Sequence, residues 1–162
     1  GVNQLSTLSE HCKNLISKDA NAVCFIKGGP YNQCINGKIL FYSSDQGTVI
    51  CIDISGLPDN SCNIFGFHIH EGMTCTGNET DPFSDTGMHY NPNGAEHPCH
   101  AGDLPPLFSA AGKAFMVFLT NRFSVNEVIG KTVVIHSNAD DFTTQPSGNS
   151  GSKIACGIIR RI

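Results

Sequence analysis

Short runs of β-type residues, separated by turn-forming glycine, proline and asparagine, constrain the fold of this chain more than any other feature. The runs are residues 22–27, 35–42, 48–54, 64–70, 113–120, 131–136 and 154–159. Strands of this length with turn signals between them, and without alternating helices, are typical of antiparallel all-β proteins. The pattern therefore predicts an antiparallel sandwich or barrel.

Three further segments complete the organisation of the chain. Within residues 3–18, apolar side chains recur at helical spacing, which predicts a short amphipathic helix that packs onto something larger. We therefore expect an N-terminal extension over residues 1–21 and one β domain over residues 22–162. Residues 71–112 and 137–153 lack strand patterns, and long irregular segments inside a compact domain are usually functional loops.

Histidines are unevenly distributed. Five of the seven lie between His68 and His100, and a sixth, His136, ends an apolar run. On a β-strand His68 and His70 point to one face. Neutral imidazole is the commonest protein ligand for copper, zinc and iron, so we expect a metal site. A His-x-His pair can also be the solvated face of an amphipathic strand, and the pair alone leaves both interpretations open.

Composition excludes several classes of function. The formal charge of −4 argues against nucleic acid as a partner. No apolar stretch approaches the roughly 20 residues needed to cross a bilayer, so we expect no membrane span. The first residues carry neither a basic region nor a long apolar one, so we expect that a signal peptide either never existed or was removed. Both an extracellular or periplasmic and a cytoplasmic location stay open.

Five ordered motifs resemble the copper/zinc superoxide dismutase family, and they extend over nearly the whole chain from residue 22. They are GFHIHE at 66–71, GMHYNP at 87–92, HAGDLP at 100–105, VVIH at 133–136 with ADD at 139–141, and GSKIACG at 151–157. The GDLP string and the five-residue step from His70 to Cys75 look more like bacterial members than animal ones. The resemblance implies a Greek-key sandwich or flattened barrel of about eight antiparallel strands.

The resemblance also implies a copper site and a reaction. Its copper ligands would be His68, His70, His89 and His136, and His89 would bridge to zinc. Superoxide would reduce Cu(II) to give oxygen, and a second superoxide would oxidise Cu(I) to give hydrogen peroxide. His89, released from copper and protonated, would deliver one of the two protons.

For zinc, the resemblance implies His89, His97, His100 and Asp103 as ligands. Two residues alone separate His97 from His100, whereas many relatives have a longer loop there. One of these histidines could therefore fail to reach, and zinc would then be weak or absent. The family carboxylate matching Asp140 accepts hydrogen bonds from one histidine of each metal, which supports the zinc site.

Two further features follow from the resemblance. Cys75 and Cys156 match the family disulfide, whereas the remaining cysteines have no assigned partner. Lys153 stands where the family usually has an arginine at the rim of the copper channel. Lysine keeps the positive charge that attracts superoxide but loses the rigid fork of arginine, so we expect activity at a reduced rate.

Three functions remain open at this point. The first is a copper/zinc superoxide dismutase, and the second is a copper-only dismutase. The third is a dismutase-like protein that binds or delivers copper with little turnover. Relatives occur both as monomers and as dimers, so the resemblance leaves a homodimer open.

Overall fold

The computed structural model describes residues 19–162, so the helix predicted within residues 3–18 lies outside the described part. The predicted all-β antiparallel class is confirmed. The described strands are β1 (Ala22–Gly28), β2 (Asn36–Ser44), β3 (Gly47–Ser55), β4 (Ile64–Phe65), β5 (Phe67–His70), β6 (Leu107–Phe108), β7 (Ala114–Thr120), β8 (Thr132–His136) and β9 (Lys153–Arg161). A four-residue helix, α1 (Val125–Val128), and a 3-10 turn at Ser84–Thr86 complete these elements.

Seven strands form one antiparallel sheet in the order β5-β8-β9-β1-β2-β3-β7, and β4 pairs with β6 separately. The C-terminal strand β9 lies between β8 and the first strand, so the two ends of the β domain meet in the middle of the sheet. The sheet curls into a half-barrel. This arrangement puts β5 and β8, which carry three of the predicted ligand histidines, beside each other at one end of the strand order.

Alternation along the strands produces the core. Ile39 and Phe41 of β2, and Ile50 and Ile52 of β3, point inward and are almost completely buried, as period-2 strands with one core face require. The outward residues of the edge strand β7 differ from the usual polar pattern, because the large side chains Phe115, Val117 and Leu119 are exposed.

Two details differ from the strand pattern of the sequence. The predicted run 64–70 is divided at Gly66, where the N–H donates to the Asn138 carbonyl at 2.7 Å and a Cβ would lie 2.8 Å from Ser150. Residues on the two sides of this glycine therefore pair with different strands, β4 with β6 and β5 with β8. The second difference is helix α1, which lies between the predicted runs 113–120 and 131–136, where no helix was predicted.

The two long segments are mostly irregular, as predicted, but 71–112 contains the short strand β6, and the last residue of 137–153, Lys153, begins β9. Both are attached to the strands by backbone hydrogen bonds. Ile69 N–H donates to Gly102 O at 2.9 Å, and Ser137 N–H donates to Ser152 O at 2.8 Å. Between residues 19 and 162 no helix is long and apolar enough to cross a bilayer.

Candidate metal centre

Four histidines from strands β5 and β8 and from the first long loop meet in the interior. This four-histidine cluster consists of His68, His70, His89 and His136, and one ring nitrogen from each lies within 4.8 Å of the others. His68 and His70 share a face of β5, and β8 ends in His136 beside them. Both β5 histidines are buried, with 0% and 2% of their surface exposed, so the solvated-face interpretation is wrong.

Backbone carbonyls fix the protonation of two of these rings. Nδ1–H of His70 donates to the Gly87 carbonyl at 2.9 Å, and Nδ1–H of His136 donates to the Gly151 carbonyl at 3.4 Å. A carbonyl can only accept, so the neutral rings keep their lone pairs on Nε2. These two Nε2 atoms lie 3.2 Å apart. Two lone pairs at that distance repel each other, so the pair favours a cation between them.

A second group, the mixed cluster, consists of His89, His97, His100 and Asp103, all buried and with ligand atoms within 4.8 Å of one another. Nδ1 of His89 lies 2.7 Å from Asp103 Oδ1. Nδ1 of His97 and of His100 lie 3.1 Å and 3.2 Å from Asp103 Oδ2. The short spacing between His97 and His100 therefore does not prevent either ring from reaching the carboxylate.

Four buried histidine nitrogens without hydrogen bonds show whether the two clusters suit metal ions. His68 Nδ1, His89 Nε2, His97 Nδ1 and His100 Nδ1 are buried and have no hydrogen-bond partner among residues 19–162. His97 and His100 are near Asp103 without being aligned to donate to it. A buried polar atom without a partner costs on the order of 1–3 kcal/mol. These nitrogens point into the two clusters, and His89 presents one nitrogen to each, so the donor set fits two neighbouring cations.

Asp140 connects the clusters from outside. Its Oδ2 accepts from Nε2 of His68 at 2.7 Å, and its Oδ1 accepts from Nε2 of His97 at 2.9 Å. Burial raises the pKa of this carboxyl, but hydrogen bonds from His68, the Phe142 amide and His97 outweigh it and lower the pKa to about 2. Asp140 is therefore ionised and directs the Nδ1 lone pairs of both histidines into their clusters.

Gly148 makes room for this carboxylate. It has φ of +66°, and a Cβ here would overlap Asp140 Oδ1 and lie 2.7 Å from His97 Nε2. Glycine alone lacks the side-chain atom that would displace the carboxylate and also adopts this φ without strain. At Gly148 the backbone of the second long loop therefore packs directly against Asp140 and His97.

The burial of the four-histidine cluster keeps it uncharged. Burial lowers the pKa of His68 and His70, and it lowers the pKa of His136 to about 3, helped by the charges that His68 and His89 would carry. Neutral imidazole is the form that binds metal ions. The site is therefore ready to bind at neutral pH without first releasing protons from these three rings.

The metal-free protein should lose stability in mild acid for the same reason. Unfolding restores a pKa near 6.5 to His68, His70 and His136, so below about pH 6.5 the unfolded chain binds protons that the folded chain excludes, and for His136 this continues down to about 3. We expect the melting temperature of the metal-free protein, followed by circular dichroism, to fall by more than about 5 °C between roughly pH 7 and pH 4.5. A constant melting temperature over this range would contradict the buried, neutral state of these rings.

The predicted disulfide is confirmed, with Cys75 and Cys156 bonded and their Cα atoms 5.7 Å apart. It attaches the first long loop to β9, whose first residue is Lys153. Nζ of Lys153 donates to the Phe83 carbonyl at 3.2 Å and lies 3.2 Å from Asp81 Oδ2. In the register of β8 and β9, Lys153 is opposite His136, so its ammonium belongs to the surroundings of the four-histidine cluster.

Sequence reasoning missed three residues that position the site. Asp81 is the ion-pair partner of Lys153. Nη1 of Arg122 lies 2.8, 3.0 and 3.1 Å from the carbonyls of Pro98, His100 and Asp103. The Gln145 side chain bonds both the N–H and the carbonyl of His97. Each of these contacts joins residues distant in the chain, so no local signal could have indicated it.

Comparisons with known proteins agree with the geometry. Residues 35–159 match the family model described as copper/zinc superoxide dismutase. The chain is 35% identical to "Superoxide dismutase [Cu-Zn]" of Deinococcus radiodurans, with 79% of each chain covered. It is 32% identical to "Superoxide dismutase [Cu-Zn] 4" of Dictyostelium discoideum, covering 87% of this chain and 98% of the relative.

Two solved structures resemble the fold. The Cu/Zn superoxide dismutase from Brucella abortus matches with a TM-score of 0.72 at 22% identity, covering 85% of this chain and 98% of that one. A double mutant of a SOD-like protein from Bacillus subtilis matches with a TM-score of 0.69 at 31% identity, covering 84% and 95%. The first structure is similar in fold alone, whereas the second is similar in both fold and sequence.

Proposed function

The chain belongs to the copper/zinc superoxide dismutase family, and from this membership we propose that its two clusters catalyse the disproportionation of superoxide to oxygen and hydrogen peroxide. The four-histidine cluster would bind copper, and the mixed cluster would bind zinc. The observation that carries the proposal is the position of His89, whose Nδ1 faces Asp103 while its Nε2 faces the other cluster.

Copper, when bound, supplies one-electron chemistry, taking an electron from one superoxide and giving it to another that gains two protons. The protein must then supply a proton at the right place. Nε2 of His89 is buried and has no hydrogen-bond partner in residues 19–162, so a proton held there can leave only toward a species in the four-histidine cluster. Nδ1 of His89, 2.7 Å from Asp103, would bind zinc together with that carboxylate, and this would hold the ring in place while Nε2 gains and loses the proton.

Lys153 supplies the positive charge for an anionic substrate. Its ammonium lies at the edge of the site and is mostly shielded, with 16% of the side chain exposed. A lysine attracts superoxide as a point charge but cannot hold it through two parallel hydrogen bonds as an arginine can. We therefore propose that association is less selective in orientation here than in relatives with arginine.

The copper-only alternative is not favoured, because His97 and His100 both reach Asp103 and both have Nδ1 free of hydrogen bonds in the described residues. The protein that only delivers copper is not favoured either, because the proton-carrying position on His89 and the rim cation are both present.

The proposal is tested by measuring superoxide disproportionation by protein reconstituted with copper and zinc, with both metals counted on the same sample. We expect one copper and one zinc per chain, and a rate more than about 100-fold above that of His68→Ala, because loss of a ligand exceeds the 10–100-fold cost of losing a residue that orients one. His11→Ala, which removes a histidine that the family resemblance does not include among the metal ligands, is the matched control and should keep the full rate. A copper-loaded protein no faster than His68→Ala would contradict catalysis.

A further inference from the structure

One ion pair joins the loop between Cys75 and His89 to Lys153, the first residue of β9. Nζ of Lys153 lies 3.2 Å from Asp81 Oδ2 and 3.2 Å from the Phe83 carbonyl that accepts its hydrogen bond. Both contacts come from three consecutive residues that are about 70 positions away in the chain. An ammonium has three N–H bonds, so this segment occupies two of them and leaves one for an anion.

Asp81 is held rigidly for this contact. Its Oδ1 accepts from the Phe83 N–H at 2.9 Å, which leaves Oδ2 for Lys153. Its own N–H donates to Asn78 Oδ1 at 3.0 Å, and its carbonyl accepts from the N–H groups of Asn78 and Ser84. The carboxylate thus has little freedom to turn away from the ammonium.

The segment itself is anchored to β9. The side chain of Phe83 is buried in a small apolar cluster with Val134 and Cys156, and Cys156 is bonded to Cys75. Asp81 therefore belongs to the same rigid body as Lys153.

Asp81 also changes the charge that an approaching anion meets. A carboxylate paired with an ammonium attracts an anion as a dipole, and such attraction decays faster with distance than that of a free charge. Residues 137–152, on the other side of Lys153, contain no lysine or arginine and carry Asp140 and Asp141. Nothing in that segment replaces the positive charge that Asp81 offsets.

We propose that Asp81 is a positioning residue that fixes the Lys153 ammonium at the rim of the four-histidine cluster and offsets its charge, which limits the capture of superoxide. This inference rests on the proposed function, since it assigns a control on substrate capture to that same site. It also specifies what the loop between Cys75 and His89 contributes, which is a fixed anion beside the rim cation.

The test compares Asp81→Asn with Glu79→Gln in the metal-loaded protein. Both substitutions remove one negative charge from the same loop, but the exposed Glu79 forms no ion pair with a described residue. For Asp81→Asn we expect kcat/KM to rise roughly threefold at low ionic strength and to fall more steeply with added salt. Glu79→Gln should change kcat/KM by less than about 1.5-fold, because an exposed charge outside an ion pair is screened by solvent and salt. Asp81→Glu should restore the wild-type rate and salt dependence.

Two further measurements separate this inference from the proposed function. Azide, a linear monoanion, is titrated into the copper-loaded proteins, and we expect Asp81→Asn to bind it roughly threefold more tightly than wild type. NMR order parameters of the Lys153 side chain in metal-free protein should fall in Asp81→Asn and stay unchanged in Glu79→Gln. A wild-type protein that binds azide but does not turn over would refute the proposed function and leave this test intact. Equal or weaker azide affinity in Asp81→Asn, or an unchanged or lower kcat/KM, would overturn the role of Asp81.

Discussion

Replacement of His89 with alanine is expected to lower the dismutation rate by more than about 100-fold and to reduce the content of both metals. His89 is the one residue shared by the two clusters, with Nδ1 beside Asp103 and Nε2 facing the other histidines. Residues that merely orient a metal ligand already contribute about 10–100-fold in affinity or activity, so the loss of a shared ligand must exceed that range. The rate and the copper and zinc content per chain are measured on the same reconstituted sample.

His100→Ala is the informative comparison, because His100 belongs to the mixed cluster alone. It should lose zinc, retain copper and keep a larger fraction of the rate than His89→Ala does. A His89→Ala protein that holds both metals, or that stays within about tenfold of the wild-type rate, would show that the bridging position is not used.

Removal of the disulfide is expected to have the largest effect on stability. Cys75 and Cys156 are 81 residues apart, and a cross-link closing a loop of that length restricts the unfolded chain by about 4 kcal/mol. In the metal-free protein, Cys75→Ser with Cys156→Ser should lower the free energy of unfolding by about that amount and the melting temperature by about 10 °C. Urea denaturation and calorimetry measure the two quantities.

The matched control replaces two cysteines that are free and exposed, Cys34→Ser with Cys62→Ser. Surface substitutions of this kind usually change the free energy of unfolding by less than about 0.5 kcal/mol each. If both double variants unfold at the same denaturant concentration as wild type, the loop between Cys75 and His89 is held by its other contacts, and the entropic argument is wrong for this chain.

Local pattern was sufficient for the large sheet, because each of its strands alternates or is buried over at least four residues. The two-residue strand β6 was missed, and its partner β4 was predicted only as part of the run 64–70. Ile64 pairs with Phe108 and Phe65 with Leu107, which are 44 and 42 positions apart, and so short a strand has no period of its own. Helix α1 did have a local signal, since Ser124 and Glu127 form a capping box.

Prediction of the site depended on different information. Period-2 spacing placed His68 and His70 on one face, but the family resemblance was needed to group them with His89 and His136. Whether His97 and His100 both reach Asp103 could not be predicted from their spacing. The path of this backbone depends on Arg122, which lies 19 to 24 residues beyond the carbonyls that it binds. The role of Asp81 could not be predicted for the same reason, since its partner Lys153 lies in the last strand.

The double role of Asp140 has a consequence for anyone who would redesign this protein. One carboxylate sets the orientation of a ring in each cluster, so a change at one of its two oxygens also changes the hydrogen bond made by the other. Deleting His97 to make a single-metal enzyme would leave Oδ1 with the Phe142 amide alone and would allow the carboxylate to rotate away from His68. Remodelling one half of the centre therefore requires a new donor for Asp140, such as a glutamine amide, before the other half can keep its shape.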